Sequence, residues 1–299
     1  MKRGIVLLLL LLTMLFWAVN FHVVKIAMEF YTPVGVAAVR FFFAVIALLV
    51  ILYFQFGKQI FRWNFSAKDY GYMFLASFFG IFLTIYFFNL GLKSTSAVNG
   101  SLIIATSPAL TAIFSYIFQK KKLKTLQQAA ILTSFLGVVI ILTKGQLHTL
   151  LQLQFEIGDI YILLMAIVFS LSQIIVNKYL PHINAMVMTT ITSIMSLVLF
   201  ALISFPELVE RPVPSDISFW GSILFMGILG TGIAYSAFYY CIVQLGATTS
   251  SLYMNLIPFF TVILAFPFGE KIYGVQLLGG VIIIIGLLIF GYSKKKNAQ

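Results

Sequence analysis

The sequence predicts an all-α membrane protein of ten transmembrane helices, built as two five-helix inverted repeats with both termini on the cytoplasmic side. The first observation behind this prediction is composition: of 299 residues, 61% are hydrophobic and 9% are charged, and the mean hydropathy is +1.06. Such a chain cannot cover a folded surface in water. The second is the length of its apolar stretches, about 20 residues, which suits a helix that crosses roughly 30 Å of hydrocarbon. The third is an internal repeat.

Glycine, proline and charged residues divide the chain into ten apolar stretches. They cover residues 4–24, 34–54, 71–91, 97–118, 126–143, 158–177, 185–204, 219–241, 247–268 and 274–292. Because apolar residues run continuously and do not alternate with polar ones, these stretches predict helices and not barrel strands. The first stretch follows a basic start, as in a signal peptide. Since no cleavage site precedes Trp17, we interpret it as a retained helix.

Lysine and arginine are unevenly divided between the two sides of the predicted bundle. With the N-terminus inside, thirteen lie in inside loops, five lie in outside loops, and Arg40 lies within the second stretch, which accounts for all 19. Cytoplasmic loops carry the excess of such residues. The count therefore predicts that both termini are cytoplasmic, and it explains the net charge of +11 without a nucleic-acid partner.

The second half of the chain resembles the first when it is moved by about 150 residues. The informative pairs are Gly80 with Gly230, Ala97 with Ala247, Ser101 with Ser251, Pro108 with Pro258 and, after a one-residue gap, Gln127 with Gln276 and Gly137 with Gly286. Each copy holds five stretches, an odd number, so the second copy enters the membrane from the opposite side. We predict repeats at 4–143 and 158–292. Inverted repeats suit a protein that alternates access to a central site.

Polar and aromatic side chains recur at helical spacing within the predicted helices, and they are our candidate substrate-binding or pathway residues. These are Trp17, Asn20, Tyr86, Asn89, Asn99, Pro108, Ser172, Gln173, Tyr235, Tyr239, Ser251, Asn255 and Pro258. Amides inside a membrane are rare enough to suggest function. The alternative is a hydrogen bond between helices, which contributes about 0.6 kcal/mol on average.

Pro108 and Pro258 lie near the middle of the fourth and ninth stretches, at equivalent positions of the repeat. Each removes a helix hydrogen bond and frees the carbonyl four residues earlier, at Ile104 and Met254. Free carbonyls at membrane depth need a polar partner or a cavity. We favour bends that line the pathway. Packing kinks, satisfied by Thr106 or by a neighbouring helix, are the alternative.

Arg40 lies about six residues into the second stretch, roughly 9 Å below the outer boundary. A charge at the bilayer centre costs about 2.5 to 3.5 kcal/mol, and less at this depth. We interpret Arg40 as a structural charge that pairs with Glu29 or with the outer loop near Glu270. Substrate binding is the alternative.

Few residues of the chain could carry catalysis or hold a metal. Cys241 is the only cysteine, and the three histidines lack metal-ligand spacing. No carboxylate lies in the middle of a stretch, which argues against an enzyme and against a simple proton relay. We predict no enzyme activity, no cofactor and no metal, with the bilayer and a small-molecule substrate as partners. Coupling to protons, or to no ion, stays open.

Several stretches resemble the EamA family of the drug/metabolite transporter superfamily, in its ten-helix form with two EamA domains. They include Trp17–Phe21, Ala37–Phe41, Leu92–Ala97, Gly158-Asp159 and Leu245–Leu252 with Pro258 and Gly269-Glu270, and the similarity runs from about residue 10 to 292. One departure is Gln119–Lys122, where the family usually has a second Gly-Glu pair. The resemblance implies export of small metabolites, such as amino acids or related compounds, or of drugs, across the cytoplasmic membrane. A flippase for lipids or lipid-linked substrates is the alternative.

Overall fold

A computed structural model describes residues 3–57, 64–95, 100, 103–143, 145–146, 156–265 and 273–296, and the regular secondary structure in these ranges is helical. Asn99, Gly269 and Glu270 lie outside them. The elements are α1 (Arg3–Ala27), α2 (Pro33–Phe56), α3 (Ala67–Ser94), α4 (Ser107–Gln119), α5 (Thr125–Thr143), α6 (Ile157–Tyr179), α7 (Ala185–Glu210), α8 (Ile217–Leu245), α9 (Ala247–Leu264) and α10 (Gly274–Lys296).

Eight helices within the described ranges are long and apolar enough to cross a membrane: α1, α2, α3, α6, α7, α8, α9 and α10. The apolar part of α5, Thr125–Ile141, is shorter than these helices, and α4 is 13 residues long. The predicted all-α membrane class is therefore confirmed. The count of ten crossings and the position of the termini stay predictions.

The starts of the helices follow from local chemistry. Thr32 caps α2, since its hydroxyl accepts from the Gly35 N–H at 3.2 Å, and Pro33 follows in the first turn, where its missing N–H costs nothing. Gly246, with φ +87°, occupies the left-handed region between α8 and α9. Only glycine adopts this backbone without strain, which allows α8 and α9 to be joined by a single residue.

Two helices contain π-helical segments, Phe78–Leu83 in α3 and Phe225–Ile233 in α8. They include Gly80 and Gly230, which the internal repeat aligns. Thr84, the residue after the first segment, and Thr231, within the second, each donate a hydroxyl to the carbonyl five residues earlier, at 2.7 and 2.9 Å. These bonds help to satisfy carbonyls that the wider helix leaves without regular partners.

Helices α5 and α10 pack closely through small residues. A Cβ added to Gly137 would lie 2.7 Å from the Gly279 carbonyl oxygen, and one added to Gly286 would lie 2.8 Å from the Ala130 carbonyl oxygen. Ser134 Oγ also donates to the Ile283 carbonyl at 3.2 Å. Small residues let the two backbones approach, which is how helices gain packing energy in lipid.

The remaining long helices enclose an interior of aromatic and small polar side chains. Ser77 Oγ on α3 donates to the Thr192 carbonyl on α7 at 2.7 Å. The ring centroids of Trp17 and Phe238 lie 4.9 Å apart, and those of Phe169 and Phe238 lie 5.7 Å apart. These contacts join α1, α6 and α8 around the centre of the bundle.

The C-terminal end of helix α7 lies beyond the predicted one. Helix α7 was expected to end at residue 204, before Pro206, yet it continues to Glu210. Proline removes only one hydrogen bond so close to a helix end. The Glu207 carboxylate accepts from the Thr32 N–H at 2.7 Å, and this contact holds the last turn of α7 against the start of α2.

Candidate functional site

A cavity of about 50 Å³ lies between α1, α2, α3, α6, α8 and α9. Its lining comes from near the middle of most of these helices and from both halves of the chain. The lining residues are Trp17, Asn20, Phe21, Arg40, Thr84, Ile85, Phe88, Ile104, Met165, Phe169, Tyr235, Met254 and Ile257. This volume holds a few water molecules, at about 10 to 15 Å³ for each. It is well below the roughly 300 Å³ of a small-molecule pocket.

Helix α1 presents Trp17 and Asn20 to the cavity because residues three apart share a helix face. Trp17 Nε1 donates to the Gly230 carbonyl at 3.1 Å, and its ring meets Tyr235 edge to face at 5.4 Å. Asn20 packs directly on Gly230, where an added Cβ would lie 2.7 Å from both amide atoms. Asn20 Oδ1 is enclosed, without a hydrogen-bond partner among the described residues.

Tyr235 and Trp17 make matching contacts on the two π-helical segments. The Tyr235 hydroxyl donates to the Gly80 carbonyl at 3.5 Å, the long limit of a hydrogen bond, while Trp17 binds the Gly230 carbonyl. Gly80 and Gly230 are the pair that the repeat aligns. An aromatic donor from the facing helix therefore satisfies a backbone carbonyl in each half.

Arg40 lies inside the bundle, and only 2% of its surface is exposed. Its Nε donates to Thr231 Oγ1 at 2.8 Å, and Cζ lies 5.7 Å from the centroid of the Phe41 ring. Burying a charge without a counter-ion costs several kcal/mol in a protein interior. Among the described residues Arg40 has no counter-ion, and a charge buried in this way inside a membrane marks a candidate functional residue.

The predicted pairing of Arg40 with Glu29 is not found, and the alternative that the sequence offered, the outer loop near Glu270, lies outside the described residues. Among described residues the ion pairs are His182 with Asp69 and Arg211 with Glu207. Glu29 is exposed in the turn after α1, whereas Arg40 is the eighth residue of α2 and faces inward onto the π-helical segment of α8. The two side chains therefore point in different directions, which keeps the two charges apart.

Other candidates are buried but do not line the cavity. Gln173 and Asn255 are fully buried, and neither atom of either amide has a hydrogen-bond partner within the described ranges. Tyr239 is buried next to Tyr235, with ring centroids 5.8 Å apart. Tyr86 is half-buried and stacks on Phe82.

Three polar candidates make structural hydrogen bonds. Asn89 Nδ2 donates to the Pro33 carbonyl at 2.8 Å and so ties α3 to the start of α2. The hydroxyls of Ser172 and Ser251 donate to carbonyls of their own helices, at Phe169 and Thr248. The Asn89 bond matches the alternative that the sequence left open, a hydrogen bond between helices, whereas the two serine bonds stay within one helix.

Both prolines lie where helices are interrupted. Pro108 is in the first turn of α4, after a turn at 105–106, and Pro258 follows a 3₁₀ turn, Tyr253–Asn255, within α9. Thr106 Oγ1 donates to the Ile103 carbonyl at 2.6 Å, one residue before the carbonyl that we expected to be free. Ile104, Met254 and Ile257, next to these breaks, line the cavity.

Sequence reasoning missed most of the apolar lining. Phe21, Phe88, Met165 and Phe169 carry no distinguishing signal in a chain with 31 phenylalanines. Their positions offered a weak signal, because Phe21 follows Asn20 and Phe88 precedes Asn89 in the sequence. Which face of a helix turns inward is settled by its neighbours.

A family profile and individual relatives match most of the chain. The sequence profile of the EamA-like transporter family matches residues 4–143 and 156–292. The uncharacterized transporter YyaM of Bacillus subtilis is 30% identical over 291 residues, which cover 96% of this chain and 94% of that protein. An uncharacterized transporter of Archaeoglobus fulgidus is 26% identical over 283 residues, covering 94% and 96%. A WAT1-related protein of Arabidopsis thaliana is 27% identical over 264 residues, covering 76% and 71%.

A solved crystal structure has the same fold. It superposes with a TM-score of 0.76 over the full length of both chains, at 16% sequence identity. At that identity the similarity speaks for the fold alone. The arrangement of helices around the central cavity is therefore one that a known protein adopts.

Proposed function

Because the chain belongs to the EamA-like transporter family and is a multi-pass membrane transporter of small molecules, we propose that it exports small metabolites across the cytoplasmic membrane. Amino acids and related compounds are the proposed substrates, and drugs of similar size form a second group. Alternating access is the proposed mechanism, with two inverted repeats at 4–143 and 158–292.

The observation that carries this proposal is the central cavity, which both halves of the chain line. Its few polar groups converge from α1, α2, α3 and α8, and its walls are aromatic and aliphatic, as in sites for small molecules. At about 50 Å³ it is too small for a metabolite. Binding therefore requires the surrounding helices to separate, which an alternating-access cycle would do.

The repeat-related features support alternation between two similar halves. The π-helical segments contain Gly80 and Gly230, and the interrupted helices contain Pro108 and Pro258. Interrupted helices at equivalent positions of two inverted repeats are a known basis for exchanging access around a central site. Each half then supplies one bendable helix next to the cavity.

Reconstituted protein tests the proposal. We would measure counterflow of labelled amino acids, other metabolites and drugs in liposomes, and compare right-side-out with inside-out vesicles for direction. Saturable counterflow of one class is the expected result. Absence of counterflow for the whole panel, together with scrambling of labelled lipid, would replace the proposal with the flippase alternative.

Trp17→Phe links the flux to the cavity. The substitution keeps a ring but removes the Nε1 donor to Gly230, a bond worth about 1 kcal/mol, so we expect flux to fall about fivefold. Trp220→Phe is the matched control, because Trp220 bonds to the Pro214 carbonyl, away from the cavity. Equal flux in the two variants would show that the cavity is not part of the transport pathway.

A further inference from the structure

Arg40 has donors that its described neighbours do not use. A guanidinium carries five N–H donors in a planar fork. Its Nε bonds to Thr231, and none of the hydrogen bonds of the described residues engages either of its terminal nitrogens. The side chain is buried, yet it lines the cavity. The unused part of the fork is therefore available to a molecule in that cavity.

The described lining of the cavity carries charge of one sign. Among its residues Arg40 is the only one charged at neutral pH, and Asn20, Thr84 and Tyr235 are polar but neutral. Asp159, at the start of α6, accepts from Thr95 and from the Glu156 N–H. Glu29 is exposed. Neither of these carboxylates lines the cavity.

The rest of the lining is apolar. Trp17, Phe21, Phe88 and Phe169 provide aromatic walls, and Ile257 and Met165 provide aliphatic ones. A ligand matched to this surface has one anionic group and a hydrophobic body. A carboxylate suits arginine because its two oxygens accept the paired N–H groups of the fork.

We propose that Arg40 binds the carboxylate of the transported molecule, so that the substrates are small organic carboxylates with an apolar or aromatic body. This proposal rests on the transport function proposed above and narrows its substrate class. Amines without an acidic group are excluded, because they would bring a second positive charge into a cavity whose described lining holds no counter-ion.

The alternative role for Arg40 is structural: Nε holds Thr231 in the π-helical segment of α8. That role needs only one donor, and it predicts that ligand binding is indifferent to ligand charge. The two roles are therefore separated by comparing ligands of one shape that differ in charge.

Equilibrium dialysis of the purified full-length protein in nanodiscs makes this comparison. The labelled probes are phenylpropanoate, phenylpropanamide and phenylpropylamine, which share a body and carry a negative, a neutral and a positive end. We expect phenylpropanoate to bind at least about tenfold more tightly than the amide, the effect of one charge-assisted contact. The amine should bind more weakly than both. Equal binding of the acid and the amide, or preference for the amine, would overturn the proposal.

Variants then assign the preference to Arg40. In Arg40→Gln the ratio of acid to amide binding should fall to about one while binding of the amide persists, and Arg40→Lys should keep part of the ratio. Arg211→Gln is the control, since Arg211 pairs with Glu207 outside the cavity. An unchanged ratio in Arg40→Gln would contradict the proposal. If that variant does not fold, the charge series on the wild-type protein decides.

Counterflow separates failure of this inference from failure of the transport proposal. Saturable flux of neutral or cationic compounds, without preference for carboxylates, would support the transport proposal and contradict the proposed role of Arg40. Tight binding of phenylpropanoate without flux of any compound would support the anion site and contradict the transport proposal.

Discussion

At the scale of single residues, glycines decide how closely the helices around the cavity approach. Gly230 is the clearest case, because Asn20 lies against its Cα and Trp17 bonds to its carbonyl. A side chain at this position would push α1 away from α8. The positions of Trp17 and Asn20 in the cavity therefore depend on the absence of a side chain at Gly230.

Gly230→Ala tests this dependence. The new Cβ would lie 2.7 Å from both amide atoms of Asn20, so the helices must shift, at a cost of about 1 to 3 kcal/mol. We expect a lower unfolding temperature in detergent and reduced flux. The matched control is Gly221→Ala on the same helix, where nothing lies within 4 Å. Equal stability of the two variants would show that the contact at Gly230 is unimportant.

At the scale of helices, the π-helical segment of α8 is joined to α2 by one side chain. Thr231 Oγ1 donates to the Met226 carbonyl and accepts from Arg40 Nε. Gly227 in the same segment lies against the α2 backbone, where an added Cβ would be 2.9 Å from the Arg40 carbonyl oxygen. The irregular segment and the buried charge are thus parts of one contact between two helices.

Thr231→Val removes the hydroxyl and keeps the shape of the side chain. Arg40 Nε and the Met226 carbonyl would both lose a partner, and each buried unsatisfied group costs about 1 to 3 kcal/mol. We expect a clear loss of thermal stability. Thr133→Val on α5 serves for comparison, because Thr133 is half-buried and its hydroxyl bonds within its own helix, to the Ala129 carbonyl. A Thr231→Val protein as stable as Thr133→Val would contradict this account of the segment.

At the scale of the whole molecule, two halves of similar sequence surround one small cavity. The cavity lining has no carboxylate and no histidine, so a proton-binding group of ordinary pKa is absent from the described part of the site. Under the proposed transport function, we therefore expect a cycle that does not pass protons through the described lining of the cavity.

Counterflow under an imposed pH gradient tests this description. We expect the rate to be the same with and without the gradient, because no group in the described lining changes charge near neutral pH. A proton ionophore should also leave it unchanged, and it controls for the gradient itself. Faster counterflow in one direction of the gradient would place a coupling group elsewhere in the chain.

Part of the polar lining of the candidate site could be predicted from the sequence, although the hydrogen-bond partners of these residues could not. Polar residues at helical spacing identified Trp17, Asn20 and Tyr235, which line the cavity. Arg40 was recognised as unusual, but Glu29, one of its two proposed partners, does not pair with it, because depth along a helix says nothing about the direction in which a side chain points. Asn89 was selected on the same grounds as Asn20, yet it bonds to the start of α2.

The sequence by itself determined the all-helical membrane class, because continuous apolar stretches can satisfy their backbone only within helices in lipid. It also determined family membership, through motifs spread along the chain. Only the tertiary structure decided which faces meet: that Arg40 reaches Thr231, that Gly230 receives Asn20, and that Glu29 stays apart. In a chain that is 61% hydrophobic, a lipid-facing and an inward-facing side chain look alike, so packing between helices is what tells them apart.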